Sequence, residues 1–175
     1  MSEAPDYAEL VAATHFSFLR GASHPADMVG EAGRLAMKGI GIADINSVAG
    51  VVRGYVALRD APEKTMAALM KAREEAGEKP ELTPEEIAAC RIDIRYVVGA
   101  RLVFADDTPD IVAYPKTRKG WGNLTSLLTC GNLRALKGGC ILHYEDLVEH
   151  LDELLLIVLP VSTRIEIRPH PKPIA

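Results

Sequence analysis

Cysteine, aromatic residues and long apolar runs are all scarce in this chain of 175 residues. The three cysteines form no Cys-x-x-Cys pair and leave an odd thiol under any pairing, which argues against a disulfide framework and a cysteine-rich zinc site. The longest apolar run, residues 154–159, is far shorter than the ~20 residues that span a bilayer. We therefore expect a protein of a reducing compartment with no membrane segment.

The N-terminal residues and the overall charge limit the classes of protein to which this chain can belong. The first ten residues, MSEAPDYAEL, carry acids where a secretory signal has a basic region followed by an apolar stretch. Lys and Arg number 20 against 24 Asp and Glu, and the net charge of −4 does not indicate a nucleic-acid-binding protein. Hydrophobic residues make up 48% of the chain, which excludes a disordered or collagen-like chain. We expect one soluble, cytoplasmic domain of ordinary size.

Strand and helix patterns alternate along the chain. The apolar segment 10–13 predicts a strand, and a helix follows it with Ser23 or His24 as its cap, Pro25 at its first position and Gly39 as its stop. The remaining predicted strands are 40–43, 92–98, 102–104, 111–113 and 154–159, and the remaining predicted helices are 48–58, about 121–128 and 145–150. This alternation favours a parallel α/β architecture with any site in the loops at the strand ends.

Three places in this pattern are less regular. Segments 102–104 and 111–113 flank a turn and form either a hairpin or successive strands. Residues 60–91 contain eight acids and five bases, and we interpret them as a charged helical insertion without chemistry, in which Met66, Leu69 and Met70 form a narrow apolar stripe. The last residues, 161–175, are rich in proline, and we expect an extended or disordered tail after a domain that covers 1–160.

Four sequence runs carry a family resemblance. They are FSFLRGASHP at 16–25, ADINSVAGVVR at 43–53, GARLV at 99–103 and GWGNL at 120–124. In content and order they resemble the N-terminal polymerase and histidinol phosphatase (PHP) domain of bacterial C-family DNA polymerases, most closely the error-prone alpha subunits used in damage-induced mutagenesis. The resemblance covers roughly residues 7–160.

That resemblance implies a distorted β/α barrel with a metal cluster at the carboxyl ends of its strands. In the full polymerase, palm, thumb and fingers domains follow the barrel, and we expect none of them here. The family's last strands would lie beyond residue 160, so the expected fold is a partial, distorted β/α barrel of PHP type that is incomplete at its C-terminal end.

The resemblance also implies where metal ligands would lie. Catalytic members have a His-x-His pair after the first strand, which falls here on Val11 and Ala13, two residues without donor atoms. An Asp-His pair follows the second strand and falls on Asp44 and Ile45, so only the carboxylate remains. Divalent clusters need neutral nitrogen and anionic oxygen donors.

The next two ligand positions are occupied by Arg101, where the family has Glu, and Asp110, where it has His. A permanently charged guanidinium repels a cation and offers Asp44 or Asp110 an ion pair. We interpret the site as vestigial, with Asp44 and Asp110 as remnants and Arg101 in place of the metal charge, and we expect no cofactor. The alternative is that Arg101 points to solvent and pairs with nothing. Among the histidines, only His15 and His143 stay candidates as additional ligands.

Residues 111–144 contain no Asp or Glu, but they include bases and aromatic residues of the kind that contact phosphates and stack on bases. The candidate nucleic-acid-binding residues are Lys116, Arg118, Lys119, Trp121, Arg134 and Lys137. Against this role, the neighbouring segment 145–153 carries five acids that would cancel the basic field.

Our leading hypothesis is a degenerate PHP-like domain that acts as a non-catalytic scaffold in DNA replication and translesion repair. Its expected partners are other polymerase domains or proteins of a mutagenesis complex, and a homodimer would cover an open sheet edge. One alternative is a metal-dependent phosphoesterase or 3′–5′ exonuclease that uses zinc, manganese or magnesium. Another is a small DNA-binding module.

Overall fold

Five strands form one curled sheet in the computed structural model, which describes residues 6–160. The strands, in spatial as well as chain order, are β1 (Ala8–Ala12), β2 (Gly39–Ile45), β3 (Arg95–Leu102), β4 (Ile111–Pro115) and β5 (Leu154–Val158). The sheet curls into half a barrel, and this confirms the predicted partial, distorted barrel of the α/β class. The predicted tail, 161–175, lies outside the described residues.

In the described part of the chain, helices pack on the convex face of this sheet. They are α1 (Pro25–Arg34), α2 (Val51–Glu75), α3 (Pro84–Ala89), α4 (Arg118–Leu133) and α5 (Tyr144–Glu149). One core cluster joins α1 to β1 and β2 through residues such as Val29 and Ile42. A second joins α4 and α5 to β3 and β4 through residues such as Leu124 and Leu102. No helix within residues 6–160 is both long and apolar enough to cross a membrane.

The strand directions correct the prediction of a parallel sheet. β1, β2 and β3 are parallel to one another, but β4 runs antiparallel to β3, and β5 runs antiparallel to β4. The reason lies in the connection between β3 and β4, which is only the eight residues 103–110. A parallel crossover needs a dozen or more residues, so the strands form the hairpin that the sequence left open, with Leu102 opposite Ile111.

Helix α2 corrects the boundary that we placed at residue 60. A helix to residue 58 and a separate charged segment were expected, but one helix of 25 residues continues to Glu75 with Pro62 inside it. The sequence becomes richer in charged residues near residue 60 because α2 leaves the core there, while its backbone stays helical. Leu58 still packs on the core beside α1, whereas no residue of α2 after Gly54 is fully buried.

The concave face of the sheet is filled by the side chain of Tyr114. A Cβ atom at Gly41 on β2 would lie 3.0 Å from the Tyr114 ring, and one at Gly99 on β3 would lie 2.6 Å from it. The phenol hydroxyl donates a hydrogen bond to the carbonyl of Leu10 on β1. Burial raises the pKa of Tyr114 above its usual range, which keeps that donor protonated. One side chain of β4 therefore reaches across two strands to a third.

This packing predicts different outcomes for two glycine-to-alanine substitutions. Gly99→Ala brings a Cβ within 2.5 Å of the Ala113 carbonyl oxygen and should lower the free energy of unfolding by about 1–3 kcal/mol. Gly122→Ala is the control, because nothing lies within 4 Å of its Cβ position on α4, and it should raise that free energy by up to about 1 kcal/mol. Urea unfolding measures both, and an unchanged midpoint for Gly99→Ala would contradict the described packing.

Candidate functional site

Asp44 is a buried carboxylate at the carboxyl end of β2, and it is only 1% exposed. The backbone N–H of Thr14 donates to its Oδ1 at 2.7 Å, and the Thr14 hydroxyl donates to Oδ2 at 2.9 Å. The Ser17 hydroxyl donates to Oδ1 at 2.6 Å. A Cβ at Gly50 would lie 2.6 Å from Oδ2, so the start of α2 closes the remaining side. The carboxylate is therefore enclosed by the protein's own donors.

Through these bonds Asp44 shapes the loop that follows β1. Ser17 accepts a hydrogen bond from the N–H of Ile45 at 3.0 Å while donating to Asp44, so the loop is fastened to β2 at two points. At the tip, Phe18 and Leu19 are 83% and 85% exposed, and Leu19 has a left-handed φ of 63°. The loop conformation thus depends on a charge that the sequence suggested as a metal ligand.

Asp44 and Asp110 do not meet in one site. Strand side chains alternate between the faces of a sheet. Ala43 packs with Tyr114 on the concave face, so its neighbour Asp44 lies on the helix-covered face. Arg101 is two residues after Gly99 on β3, so both residues face the same side of the sheet. The Tyr114 ring lies over Gly99 on the concave side, and Arg101 and its partner Asp110 are therefore on that side too. The two predicted metal carboxylates are thus on opposite faces.

Arg101 and Asp110 form an ion pair at the mouth of the concave face. The guanidinium donates to Asp110 Oδ2 from Nε at 2.9 Å and from Nη2 at 2.6 Å. The side chains are 24% and 10% exposed, so the pair is partly shielded from water. Of the two alternatives stated for Arg101, the ion pair is the one that the structure contains.

The donor set at this mouth does not fit a divalent metal. Of the positions where the family has ligands, Val11 packs with the Tyr114 cluster, and Ile45 pairs with Arg101 across the sheet. Neither side chain can bind a metal, and the guanidinium of Arg101 repels one. Within residues 6–160, no three His, Cys, Asp or Glu side chains are arranged to hold a metal ion.

The candidate histidines have local partners. His15 stacks on His24 with ring centroids 5.2 Å apart, and Nδ1 of His24 accepts from the N–H of Ala26 as the cap of α1. That cap confirms one of the two predicted for this helix. His143 precedes α5, and its backbone N–H donates to Asp146 Oδ2 at 2.9 Å.

A nucleophilic cysteine is equally unsupported. Burial raises the pKa of the Cys140 thiol to about 11, so little of it is thiolate at neutral pH. Cys90 is buried, and all three cysteines are free thiols.

The predicted nucleic-acid segment is largely neutralised by acids from the following segment. Lys119 contacts Asp152 at 2.5 Å, and Lys116 lies 3.9 Å from Glu153. Arg134 donates to both carboxylate oxygens of Asp146. The other three candidates differ in exposure: Arg118 and Lys137 are exposed, and Trp121 is half-buried at the start of α4. Half of the six candidates are thus ion-paired within the domain.

Sequence reasoning missed the residues that matter most at Asp44. Thr14 and Ser17 are ordinary hydroxyl residues that no catalytic motif includes. The only signal for Ser17 was its place in the run at 16–25, which the family resemblance marked as a whole. Asp146 was counted only among acids of a charged helix, although it is 7% exposed.

Comparisons with known proteins agree with the sequence resemblance. A family model described as PHP domain matches residues 9–167, which extends past Pro160, where we expected the domain to end. The chain is 45% identical over 166 residues to an error-prone DNA polymerase of Sinorhizobium medicae. That alignment covers 95% of this chain but only 12% of the polymerase. The chain is also 39% identical over 156 residues to an error-prone DNA polymerase of Caulobacter vibrioides, and this alignment covers 89% of the chain and 12% of that polymerase. The chain therefore spans only about an eighth of the length of these relatives.

Among solved structures, a Bifidobacterium adolescentis protein described as a metal-dependent phosphoesterase is similar, with a TM-score of 0.44 and 16% identity. The match covers 86% of this chain and 46% of that chain. A similarity this low does not bear on the chemistry of the site.

The enclosure of Asp44 predicts a large effect of a nearly isosteric substitution. Asp44→Asn replaces one acceptor oxygen by an amide that faces donors, so the free energy of unfolding should fall by about 2–3 kcal/mol. Asp152→Asn is the control, because its ion pair with Lys119 is exposed and screened by water, and it should leave the urea midpoint nearly unchanged. Equal urea midpoints for the two variants would show that Asp44 is not a structural centre.

The Arg134–Asp146 pair predicts a pH-dependent effect. Hydrogen bonds from Arg134 hold the pKa of Asp146 below its ordinary value of 3.8. Ionised Asp146 therefore stabilises the fold above about pH 4, and this contribution disappears as the pH falls through the lowered pKa.

Asp146→Asn should consequently cost about 1–2 kcal/mol at pH 7 and clearly less at pH 2.5, since Arg134 is 43% exposed and partly screened. Glu145→Gln on the same helix should change stability by no more than about 0.5 kcal/mol at either pH. Urea unfolding at the two pH values makes the comparison, and a pH-independent cost for Asp146→Asn would refute the assignment.

Proposed function

This chain belongs to the PHP domain family, and we propose that it is a non-catalytic structural domain of the kind present in error-prone DNA polymerases. The observation that carries the proposal is the Arg101–Asp110 ion pair at the mouth of the concave face. In the family pattern these two positions carry a Glu and a His ligand. Here the two side chains neutralise each other, and the guanidinium of Arg101 supplies the positive charge that a metal cluster would contribute.

The rest of the sheet's carboxyl end supports the same function. Asp44 accepts hydrogen bonds from Thr14 and Ser17 on both of its oxygens, so it fixes a loop and is enclosed by the protein's own donors. Tyr114 fills the concave face with a hydrogen-bonded aromatic ring. These features favour rigidity in the place where catalytic relatives would bind water and metal.

We propose that the role of the domain is to support a polymerase body or its partners during translesion synthesis in the cytoplasm. The relatives are error-prone DNA polymerases, and this chain corresponds to 12% of their length, so nucleotide transfer is assigned to their other parts. DNA contact through Arg118 and Lys137, and a homodimer that covers an open sheet edge, are secondary proposals. The ion pairs of Lys119 and Arg134 argue against a broad DNA-binding face.

Elemental analysis of the protein purified without chelator tests the proposal. We expect far less than one equivalent of zinc, manganese or iron per chain, and the same thermal unfolding midpoint in EDTA and in manganese chloride. We also expect no hydrolysis of p-nitrophenyl phosphate or of the 3′ end of an oligonucleotide when zinc, manganese or magnesium is added. One equivalent of metal with either activity would instead establish the phosphoesterase or exonuclease alternative.

Arg101→Glu isolates the role of the guanidinium. The substitution places two carboxylates side by side, so manganese should bind weakly and raise the unfolding midpoint of this variant but not of the parent chain. Arg53→Glu is the matched control, because it makes the same charge change at an exposed position on α2. If manganese stabilised both variants equally, general electrostatics rather than the site would be responsible.

A further inference from the structure

The end of α2 and the short helix α3 form a projection beside the sheet, which we call the helical projection and define as residues 60–91. No residue of α3 is buried, and in α2 the buried residues are Val51 and Gly54 near its start. Such a segment contributes little to the core of the domain. Its apolar side chains therefore need another explanation.

Those side chains line an open groove of about 500 Å³ between the two arms of the projection. Met66, Ala67 and Met70 come from α2, and Leu82 and Ile87 come from the returning segment. Met70 and Ile87 remain 40% and 41% exposed. The volume is within the range of sites that hold apolar groups, and methionine side chains adapt readily to different apolar partners.

The walls of the groove are fixed before any partner arrives. Arg73 on α2 donates to the backbone carbonyl of Glu81 and to the carboxylate of Glu86, which ties the returning segment to the helix. A capping box holds the start of α3, since Glu86 accepts from the Thr83 N–H at 2.8 Å and Thr83 accepts from the Glu86 N–H at 3.2 Å. Binding to a preformed groove loses little conformational entropy.

The charged residues that line the groove are both acidic. Glu63 and Glu81 line it, and within the described structure no Lys, Arg or His does so. The guanidinium of Arg73 is paired with Glu86. Lys64 lies on α2 about 100° or more around the helix from Glu63, Met66 and Met70, so it faces away from the groove. Lys71 lies nearer the edge of the groove, four residues after Ala67, and its ammonium is 3.8 Å from the carboxylate of Glu75.

From this geometry we propose that the groove binds a cationic amphipathic helix of a partner protein. The apolar face of that helix enters the methionine-lined groove, and its Lys or Arg side chains pair with Glu63 and Glu81. None of the lining residues belongs to a strand, so this interaction is independent of the function proposed for the concave face.

A pair of synthetic helices tests the proposal on the whole chain. The first is a fluorescein-labelled 16-residue peptide with one Leu and Ala face and Lys along both sides of that face; the second has Glu in place of every Lys. In fluorescence anisotropy at physiological salt, the Lys peptide should bind saturably and at least about tenfold more tightly than the Glu peptide. Equal binding of the two peptides, or binding of neither, would overturn the proposal.

Two double variants locate the binding site. The double variant Glu63→Lys with Glu81→Lys should bind the Lys peptide at least about tenfold more weakly than the parent chain does, and it should bind the Glu peptide more tightly. The double variant Glu145→Lys with Glu149→Lys on α5 makes the same change in net charge outside the groove. Its affinity for the Lys peptide should stay within about twofold of that of the parent chain.

Met66→Ser with Met70→Ser removes apolar surface from the groove and should also weaken binding about tenfold, whereas Leu133→Ser on the 76% exposed end of α4 should not. Circular dichroism and thermal unfolding confirm that each variant is folded. Loss of binding in both the groove variants and their controls would mean that the peptide binds elsewhere, and the proposed site would be wrong.

Discussion

The Asp44 carboxylate is the constraint on which the carboxyl end of the sheet depends. A buried charge is costly unless donors surround it, and here Thr14 and Ser17 supply them from the loop after β1. The same carboxylate excludes a side chain at position 50, so the start of α2 approaches β2 closely. The conformation of the loop after β1 and the position of the start of α2 therefore both depend on one buried carboxylate.

On the two faces of the sheet, the carboxylate of Asp44 and the Arg101–Asp110 ion pair are both bound by groups of the protein itself. Catalytic clusters require ligands that remain unsatisfied by the protein until a metal binds. Here Arg101 pairs with Oδ2 of Asp110, and the apolar side chains of Val11 and Ile45 cannot bind a metal at two further positions. The polar groups at these positions thus stabilise the folded chain, which agrees with the non-catalytic role that we propose.

Local patterns in the sequence predicted most elements of this fold. Pro25 and His24 marked the start of α1, and the apolar run at 154–159 marked β5. Strand direction was not predictable from periodicity, because a parallel and an antiparallel strand share one pattern and only the eight-residue connection distinguishes them. The ion pair of Arg101 was one of two stated alternatives. That Asp44 and Asp110 occupy different faces depends on register, and their separation along the sequence carries no information about it.

The hydrogen bond from Tyr114 to Leu10 joins residues 104 positions apart. Loop-closure entropy disfavours such a contact in an unfolded chain, whereas the β3–β4 hairpin closes over only eight residues. The ring reaches β1 only across Gly41 and Gly99, so β2 and β3 have to be in place first. Among the described strands β1 comes first along the chain, and its partner in this bond follows more than a hundred residues later. A single side chain of β4 thus fastens together four strands of the sheet, β1 to β4.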